Sequence, residues 1–264
     1  MTRNAFALSL AKPTARRGRL NQASVRSFNV FFAIFERIIF HILMSKNDKE
    51  YYYGINGIFE RFPELIPAVG EHYFRPDGLH DKLLMVAESN YLKVPDEESV
   101  FRSPQAWYEG NDISRLIPED KTTDFSNWKY AYPPFRRAID IANKVLTDHQ
   151  IQTKGQQEEI SFYNYFLRPA DSDRQIRPTA MDYRYCGEAM AGVIRKLEPD
   201  LIVFLSSKAC KSFEKFLKAN SISYNNILIS NVVHPSSIWW WRAGGRYGYA
   251  KLYDILERNW LSER

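Results

Sequence analysis

Cysteine is scarce in this chain of 264 residues. Its two cysteines are Cys186 and Cys210. Two thiols cannot form the disulfide framework of a small secreted domain, and they cannot supply the four ligands of an iron–sulfur cluster. Reduced thiols are typical of proteins in the cytosol. We therefore expect a cytoplasmic protein with two free cysteines and no bound cofactor.

Ligand patterns for metals and phosphates are also missing. His72 and His80 lie near Glu71 and Asp81, but their spacing fits no zinc-binding pattern. The chain has no glycine-rich loop of the kind that holds a phosphate group, and it has no internal repeat. The sequence therefore predicts no metal site.

The N-terminal region lacks an apolar run long enough to cross a membrane. Residues 1–35 contain no acidic residue and are rich in Arg and Ser, as in an organelle transit sequence. The segment "FNVFFAIFERIIFHIL" that follows has 16 residues and is interrupted by Glu36 and Arg37, so it is too short and too charged for a membrane span. We interpret residues 1–43 as a dispensable leader, disordered or helical, with a helix on a membrane surface as the alternative.

The positive net charge of the chain belongs to this leader. The whole chain carries +5, and residues 1–43 alone carry seven basic groups and one acidic group. Subtracting the leader's +6 leaves residues 44–264 with a net charge of −1. A nucleic-acid function therefore has to rest on local clusters of basic or aromatic residues in the body of the chain.

Residues 44–264 are expected to form one α/β domain. Short apolar runs typical of buried strands alternate with segments of helical spacing, which favours a parallel sheet covered on both faces. We predict a three-layer α/β/α fold with a short, mainly parallel four-stranded sheet and a long insertion at about 93–131. Strands are predicted at 82–88, 158–169, 199–207 and 226–237. Helices are predicted from residue 50 to near Pro63 and at 133–148, 180–198, 207–220 and 247–261.

Polar residues stand at the ends of three predicted strands. The run "LLMVAESNYL" passes from apolar residues into Glu88, Ser89 and Tyr91, the second strand contains Asn164, and the last one leads to His234. Parallel strands bring their carboxyl ends to one edge of a sheet, where open α/β folds bind their ligands. We therefore expect these side chains to gather at one site.

Three segments at these strand ends resemble the uracil-DNA glycosylase superfamily. They are "VAESNYL", "FYNYFLRPADSDRQIRP" and "VVHPSS", and the resemblance covers most of residues 80–260. The middle segment and "KLEPDLIVFLSSKAC" are most similar to the iron–sulfur branch, although the cluster cysteines are missing and only Cys186 lies near an expected place. The resemblance implies a DNA-repair hydrolase that breaks the N-glycosidic bond of uracil or another altered base flipped out of single- or double-stranded DNA.

The resemblance also implies a role for each residue of the site. Glu88 and His234 are the catalytic residues: the carboxylate stabilises the cationic sugar and orients water, and the neutral imidazole donates to the base as negative charge builds there. Asn164 reads the edge of the base and Tyr91 excludes a thymine methyl group. We assign Ser89 to base binding with them.

The aromatic residue that would stack on the base is the one role left unassigned. Phe101, Trp107 and Tyr108 follow the first motif, but they lie in a segment without a regular pattern. The choice therefore stays open among these residues.

The first motif departs from the family pattern at three positions. Ala87 stands where the family has Gly, Ser89 where the uracil-specific members have Asp, and Asn90 where Pro is usual. Two alternatives therefore remain. One is a catalytically silent protein of the same fold that binds nucleic acid or nucleotides. The other is an esterase-like hydrolase that uses Ser89 and His234, although the glycine-flanked serine elbow of such enzymes is absent.

Two segments are candidates for DNA binding. "LRPADSDRQIRPTAMDYR" places four arginines close together, and four guanidinium groups are able to neutralise phosphates, unless they belong to a solvent loop. "SSIWWWRAGGRYGYAK" follows the histidine, and in the resembling family this loop pushes an apolar side chain into the duplex. Three consecutive Trp residues cannot all face one core, so we expect at least one to be exposed unless it lies in an oligomer contact. The residues assigned to DNA binding are Arg168, Arg177, Ser236, Ser237, Ile238, Trp239 and Arg242.

Overall fold

A computed structural model gives the fold of the body of the chain. All the residues that it describes lie in one compact unit, Lys46–Arg264. The predicted leader and most of the predicted insertion at about 93–131 lie outside them. The described residues are 52, 54–74, 78–91, 103–110, 133–152, 158–170, 176–242 and 247–262.

Strands and helices alternate along the described part of the chain. None of its helices has both the length and the apolar character needed to cross a bilayer. The strands are β1 (Ala68–Val69), β2 (Leu83–Tyr91), β3 (Ile160–Ala170), β4 (Leu201–Phe204) and β5 (Leu228–Asn231). The helices are α1 (Ile58–Arg61), α2 (Pro104–Glu109), α3 (Pro133–Asp148), α4 (Ala180–Leu197), α5 (Ser207–Ala219) and α6 (Gly248–Asn259), with a 3-10 helix at Pro63–Leu65.

The strands form a single sheet in the order β1-β3-β2-β4-β5. Strands β3, β2, β4 and β5 are parallel to one another, and β1 pairs antiparallel with β3. The prediction of a mainly parallel sheet is therefore confirmed, whereas the predicted count of four strands was wrong. The extra strand, β1, has two residues, which is too short to show an apolar alternation, and it is held by contacts such as that of the Ser161 hydroxyl with Ala68 O at 2.9 Å.

The central strand β2 is buried on both faces. Leu84 and Val86 pack in one apolar core with α1, α4 and α5, whereas Leu83 and Met85 pack in a second core with α3 and α6. A strand covered on both sides has no solvent face that requires polar residues, which explains its continuous apolar run. The three predicted layers are thus present.

The helix predicted from residue 50 to near Pro63 was wrong for most of its described length. Among the described residues of this range, only Ile58–Arg61 is α-helical. Gly54 and Gly57 adopt φ angles of 82° and 71°, and Asn56 has a φ of 45°. These left-handed residues cannot continue a right-handed helix. The spacing of the apolar residues therefore predicted a helix longer than the one observed.

Candidate active site at the carboxyl edge of the sheet

Glu88 lies near the carboxyl end of β2 with its carboxylate buried. Its Oε2 accepts a hydrogen bond from Ser206 Oγ at 2.6 Å, and its Oε1 forms an ion pair with Lys208 Nζ at 2.6 Å. Ser206 is also the N-cap of α5, because its side chain accepts from the backbone N–H of Ala209. The first turn of α5 thus holds Glu88 through two contacts that both stabilise a carboxylate.

His234 lies just after β5, in a loop at the same edge of the sheet. Its Nδ1 accepts from the backbone N–H of Ser236 at 3.2 Å and lies 2.6 Å from the Ser236 hydroxyl. Because a backbone N–H can only donate, the proton of the neutral ring belongs on Nε2. This Nε2 is buried and has no hydrogen-bond partner among the described residues. The site therefore contains a buried donor that is ready for a ligand oxygen.

The charges of the site act on His234. Burial lowers the pKa of the imidazole, the negative charge of Glu88 opposes this by raising the pKa, and the positive charge of Lys208 lowers it. The net pKa lies below the ordinary value of 6.5. His234 is therefore neutral at pH 7, and the three side chains are close enough to interact electrostatically.

The Asn164 side chain lies on the face of the sheet opposite that of Glu88. It is the cross-strand neighbour of Ala87, so its side chain leaves β3 on the side of Ala87, and Glu88 leaves β2 on the opposite side. The Asn164 amide donates to Asn90 Oδ1 at 2.7 Å. Glu88 and His234 are thus close enough to interact electrostatically, whereas Asn164 lies beside Asn90 on the opposite face of the sheet.

Ser89 and Tyr91 complete the predicted base-binding group. The Ser89 hydroxyl is buried and makes no hydrogen bond to any residue in the described ranges, so it is a second polar atom available to a ligand. The contact expected for a Ser89–His234 esterase pair is therefore not formed, since His234 Nδ1 contacts Ser236 instead. Tyr91 ends β2 and pairs through its backbone with Ala170, but its side chain lies outside the described residues.

Arg168 is occupied by a structural ion pair. Its guanidinium is buried and contacts both carboxylate oxygens of Asp182, with Nε at 2.9 Å from Oδ1 and Nη2 at 2.8 Å from Oδ2. Asp182 is also part of the capping box that begins α4 with Thr179. These contacts do not favour the predicted role of Arg168 in DNA binding. Arg177, by contrast, is exposed and is able to take that role.

The three consecutive tryptophans after His234 divide between core and solvent. Trp240 is fully buried in the core formed by α3 and α6, whereas Trp239 is 41% and Trp241 62% exposed. The prediction that at least one is exposed is therefore confirmed. Ile238, beside them, is 89% exposed, as expected of a side chain that enters a partner. The loop is tied to the site because Ser237 N–H donates to His234 O at 2.8 Å.

Two pairs of rings and an exposed isoleucine lie in and beside this loop. We call this group the aromatic surface and define it as Ile238, Trp239, Trp241, Tyr247 and the partly buried Tyr249. The Trp239 and Tyr247 ring centroids are 5.6 Å apart, and Trp241 stacks on Tyr249 at 5.5 Å. Two guanidinium groups flank these rings: that of Arg242 lies 4.3 Å from the centroid of Trp239, and that of Arg137 lies 5.9 Å from that of Trp241. Such a surface is suited to stacking on bases and contacting phosphates.

The two serines assigned to DNA binding lie between His234 and the aromatic surface. Ser236 is exposed, and its backbone N–H and hydroxyl are both directed at the imidazole. The Ser237 hydroxyl accepts from the backbone N–H of Trp239 at 3.2 Å. Both serines therefore shape this loop, and their contact with DNA stays a prediction.

Two of the three aromatic candidates for stacking on the base belong to the core. Trp107 stacks on Phe62 with ring centroids 4.3 Å apart, and Tyr108 stacks on Tyr185 at 4.4 Å. Both side chains are buried, which leaves them no free face for a base. Phe101, the third candidate, lies outside the described residues.

Two contributors to the site, Ser206 and Lys208, were not found by sequence reasoning. A Ser before an amphipathic run is a signal for a helix N-cap, and "LSSKAC" contains it. Nothing in the sequence marks the Lys208 side chain as the partner of Glu88. This contact depends on β4 lying next to β2, where Val86 pairs with Phe204.

The histidines and cysteines of the described residues do not form a metal site. No group of three His, Cys, Asp or Glu side chains among these residues is able to hold a metal ion. His72 and His80 both contact the carboxylate of Glu159, at 3.0 and 3.2 Å. Cys186 and Cys210 are free and buried, and burial raises the pKa of each thiol to about 12.

A comparison of this chain with models of known protein families and with curated protein sequences finds no match. Its assignment therefore rests on the geometry of the site.

Proposed function

We propose that the chain is an N-glycosylase that removes uracil or another altered base from DNA. One observation carries the proposal: a neutral imidazole with an unpartnered, buried Nε2–H lies within electrostatic reach of a buried carboxylate. These two groups suit the cleavage of an N-glycosidic bond, because its transition state joins a cationic sugar to an anionic base.

In this reaction the bond between the sugar C1′ and the base nitrogen breaks, and water adds to C1′. Glu88 stabilises the positive charge of the sugar and orients the water, whose proton is lost as it adds and ends on the departing base anion. The departing base takes the electron pair of the broken bond, and His234 Nε2–H donates to its carbonyl oxygen. The products are a free base and an abasic sugar.

The aromatic surface supplies a means of holding the DNA. A flipped base leaves a gap in the stack, and Ile238 or Trp239 is exposed enough to fill it. The guanidinium of Arg242 lies over Trp239, where it is able to contact a phosphate next to the gap. The same surface is able to stack on the bases of a single strand.

A test of the chemistry is base release from oligonucleotides that contain uracil or other altered bases, with hot alkali used to cleave abasic sites. We expect release by the wild type and a loss of about 10² or more in rate for Glu88→Gln and for His234→Ala. Glu198→Gln and His149→Ala change the same residue types away from the site and serve as matched controls. A wild type that releases no base from any substrate of the panel contradicts the proposal.

A second candidate function is nucleic-acid binding without chemistry. The observation that favours it is the ion pair of Glu88 with Lys208, which offsets the negative charge that the sugar cation needs. This candidate predicts that the protein binds DNA in a salt-sensitive way and releases no base. Glu88→Gln should leave the binding unchanged.

A further inference from the structure

We infer that a cleft between α4 and α5 binds the phosphodiester backbone of a single nucleic-acid strand that leads to Glu88. The inference rests on the proposed function, since it gives the path of the strand whose base enters the site. The cleft has a volume of about 310 Å³. It is lined by Tyr183, Ser207, Lys208, Lys211, Ser212 and Lys215.

The charge of the cleft is strongly positive. Helix α5 carries four lysines and one glutamate, although residues 44–264 as a whole have a net charge of −1. Lys208, Lys211 and Lys215 are spaced by three and four residues, so they share one face of the helix. Among the described residues, no acidic side chain lines the cleft, and neither Lys211 nor Lys215 forms an ion pair with any of them.

The length of the lysine row suits a polymer better than a single anion. Seven residues of α-helix separate Lys208 from Lys215, a distance of about 10 Å along the axis. Successive phosphates of a stacked strand are about 3.4 Å apart along its axis, so the row matches roughly three of them. The partly exposed ring of Tyr183 adds a surface on which a base is able to stack.

Lys208 connects the cleft to the catalytic site. Its Nζ contacts Glu88 Oε1 at 2.6 Å and donates to Ile176 O at 3.1 Å, so the side chain is fixed between the two. A phosphate in the cleft offers Lys208 another anionic partner. When Lys208 contacts that phosphate, the charge of Glu88 becomes available to the sugar of the same strand. A strand bound in the cleft therefore leaves the Glu88 carboxylate free to stabilise the sugar cation.

The test measures binding of a fluorescent single-stranded oligonucleotide without altered bases, at several salt concentrations. For Lys211→Ala with Lys215→Ala, we expect binding roughly tenfold weaker and a salt slope smaller by about 1.4, at about 0.7 for each lost contact on a single strand. Lys144→Ala, which changes an exposed lysine on α3 away from the cleft, is the matched control and should leave both quantities unchanged. Circular dichroism verifies that each variant is folded.

Three results overturn the inference. One is a double variant with the affinity and salt slope of the wild type. Another is competition in which inorganic phosphate or an acidic peptide displaces the strand as well as an unlabelled oligonucleotide of equal charge does, since this identifies a general anion site. The third is tighter binding of a matched duplex that is equally sensitive to the two lysines, which excludes the single-strand path.

The result is independent of catalysis. If no substrate releases a base but the double variant loses affinity, the proposed glycosylase activity is contradicted and strand binding in the cleft is supported. If base release requires Glu88 and His234 but the double variant binds normally, the glycosylase activity is supported and strand binding in the cleft is contradicted.

Discussion

The Ser206 hydroxyl donates to Glu88 Oε2 at 2.6 Å while it caps the helix that follows. One side chain therefore fixes the carboxylate and the start of α5 together. Removal of Ser206 should consequently affect both the stability of the protein and the position of the candidate catalytic acid.

Ser206→Ala is expected to lower the free energy of unfolding by about 2 kcal/mol, since it removes an N-cap and a hydrogen bond to a charged group. Urea denaturation measures the change. Ser206→Thr keeps the hydroxyl and should restore most of the stability, and Ser223→Ala, on an exposed turn, should have little effect. Equal stability of Ser206→Ala and the wild type would contradict the role that we give this residue.

The pH dependence of His234 is a second prediction. Burial depresses the pKa of its imidazole below 6.5, so the ring is neutral in the folded state at pH 7 and gains its proton only in acid. Because the unfolded chain binds that proton more readily, protonation destabilises the fold as the pH falls below about 6.5. Base release should be constant at and above this pH and should decline only when the pH falls to the depressed pKa of the folded protein.

Nuclear magnetic resonance titration of the imidazole measures this pKa directly. Glu88→Gln removes a negative charge and should lower the pKa of His234 further, whereas Lys208→Met removes a positive charge and should raise it. Shifts in the opposite directions would show that the three groups do not interact as the geometry indicates.

Arg168 and Arg177 should respond differently to substitution. Arg168→Ala leaves the buried Asp182 carboxylate without its ion-pair partner and is expected to destabilise the fold by about 3 kcal/mol. Arg177→Ala changes an exposed side chain and should leave stability within about 0.5 kcal/mol. Thermal unfolding separates the two. A stable Arg168→Ala protein with weakened DNA binding would instead restore the role predicted from the sequence.

The tryptophans provide a prediction about binding. Trp239→Ala and Trp241→Ala should weaken DNA binding by about 1 kcal/mol or more for each stacked base, with little change in stability. Trp240→Ala should destabilise the fold by about 3 kcal/mol, because that ring is buried in the core. Fluorescence titration with DNA, alongside denaturation curves, distinguishes these effects. If Trp239→Ala and Trp241→Ala bind DNA as tightly as the wild type does, the aromatic surface takes no part in DNA binding.

Much of the fold follows from local patterns in the sequence. The runs around Leu84 and Ile202 are continuously apolar because both faces of their strands are covered. Their alternation with helices predicts parallel strands, and parallel strands place Glu88 and His234 at one edge. These inferences need only the order of the elements along the chain.

The remaining features depend on register, which the sequence does not determine. The pairing of Ala87 with Asn164 puts the Asn164 and Glu88 side chains on opposite faces of the sheet. The pairing of Val86 with Phe204 brings the first turn of α5 to Glu88. Likewise, the partner of Arg168 is found only when α4 is packed beside β3. Long-range contacts of single side chains carry no periodic signal.

Gly248 has a consequence for how the exposed rings are presented. Its φ is 46°, and a side chain at this position would collide with the backbone of Trp240. The glycine thus allows α6 to begin directly against the Trp loop, and Tyr249 N–H donates to Trp240 O at 2.9 Å. Trp239 and Trp241 are therefore anchored on either side of a fixed backbone before any partner arrives. An incoming strand meets a prearranged pair of rings, so less conformational entropy is lost on association than with a loop that must first become ordered.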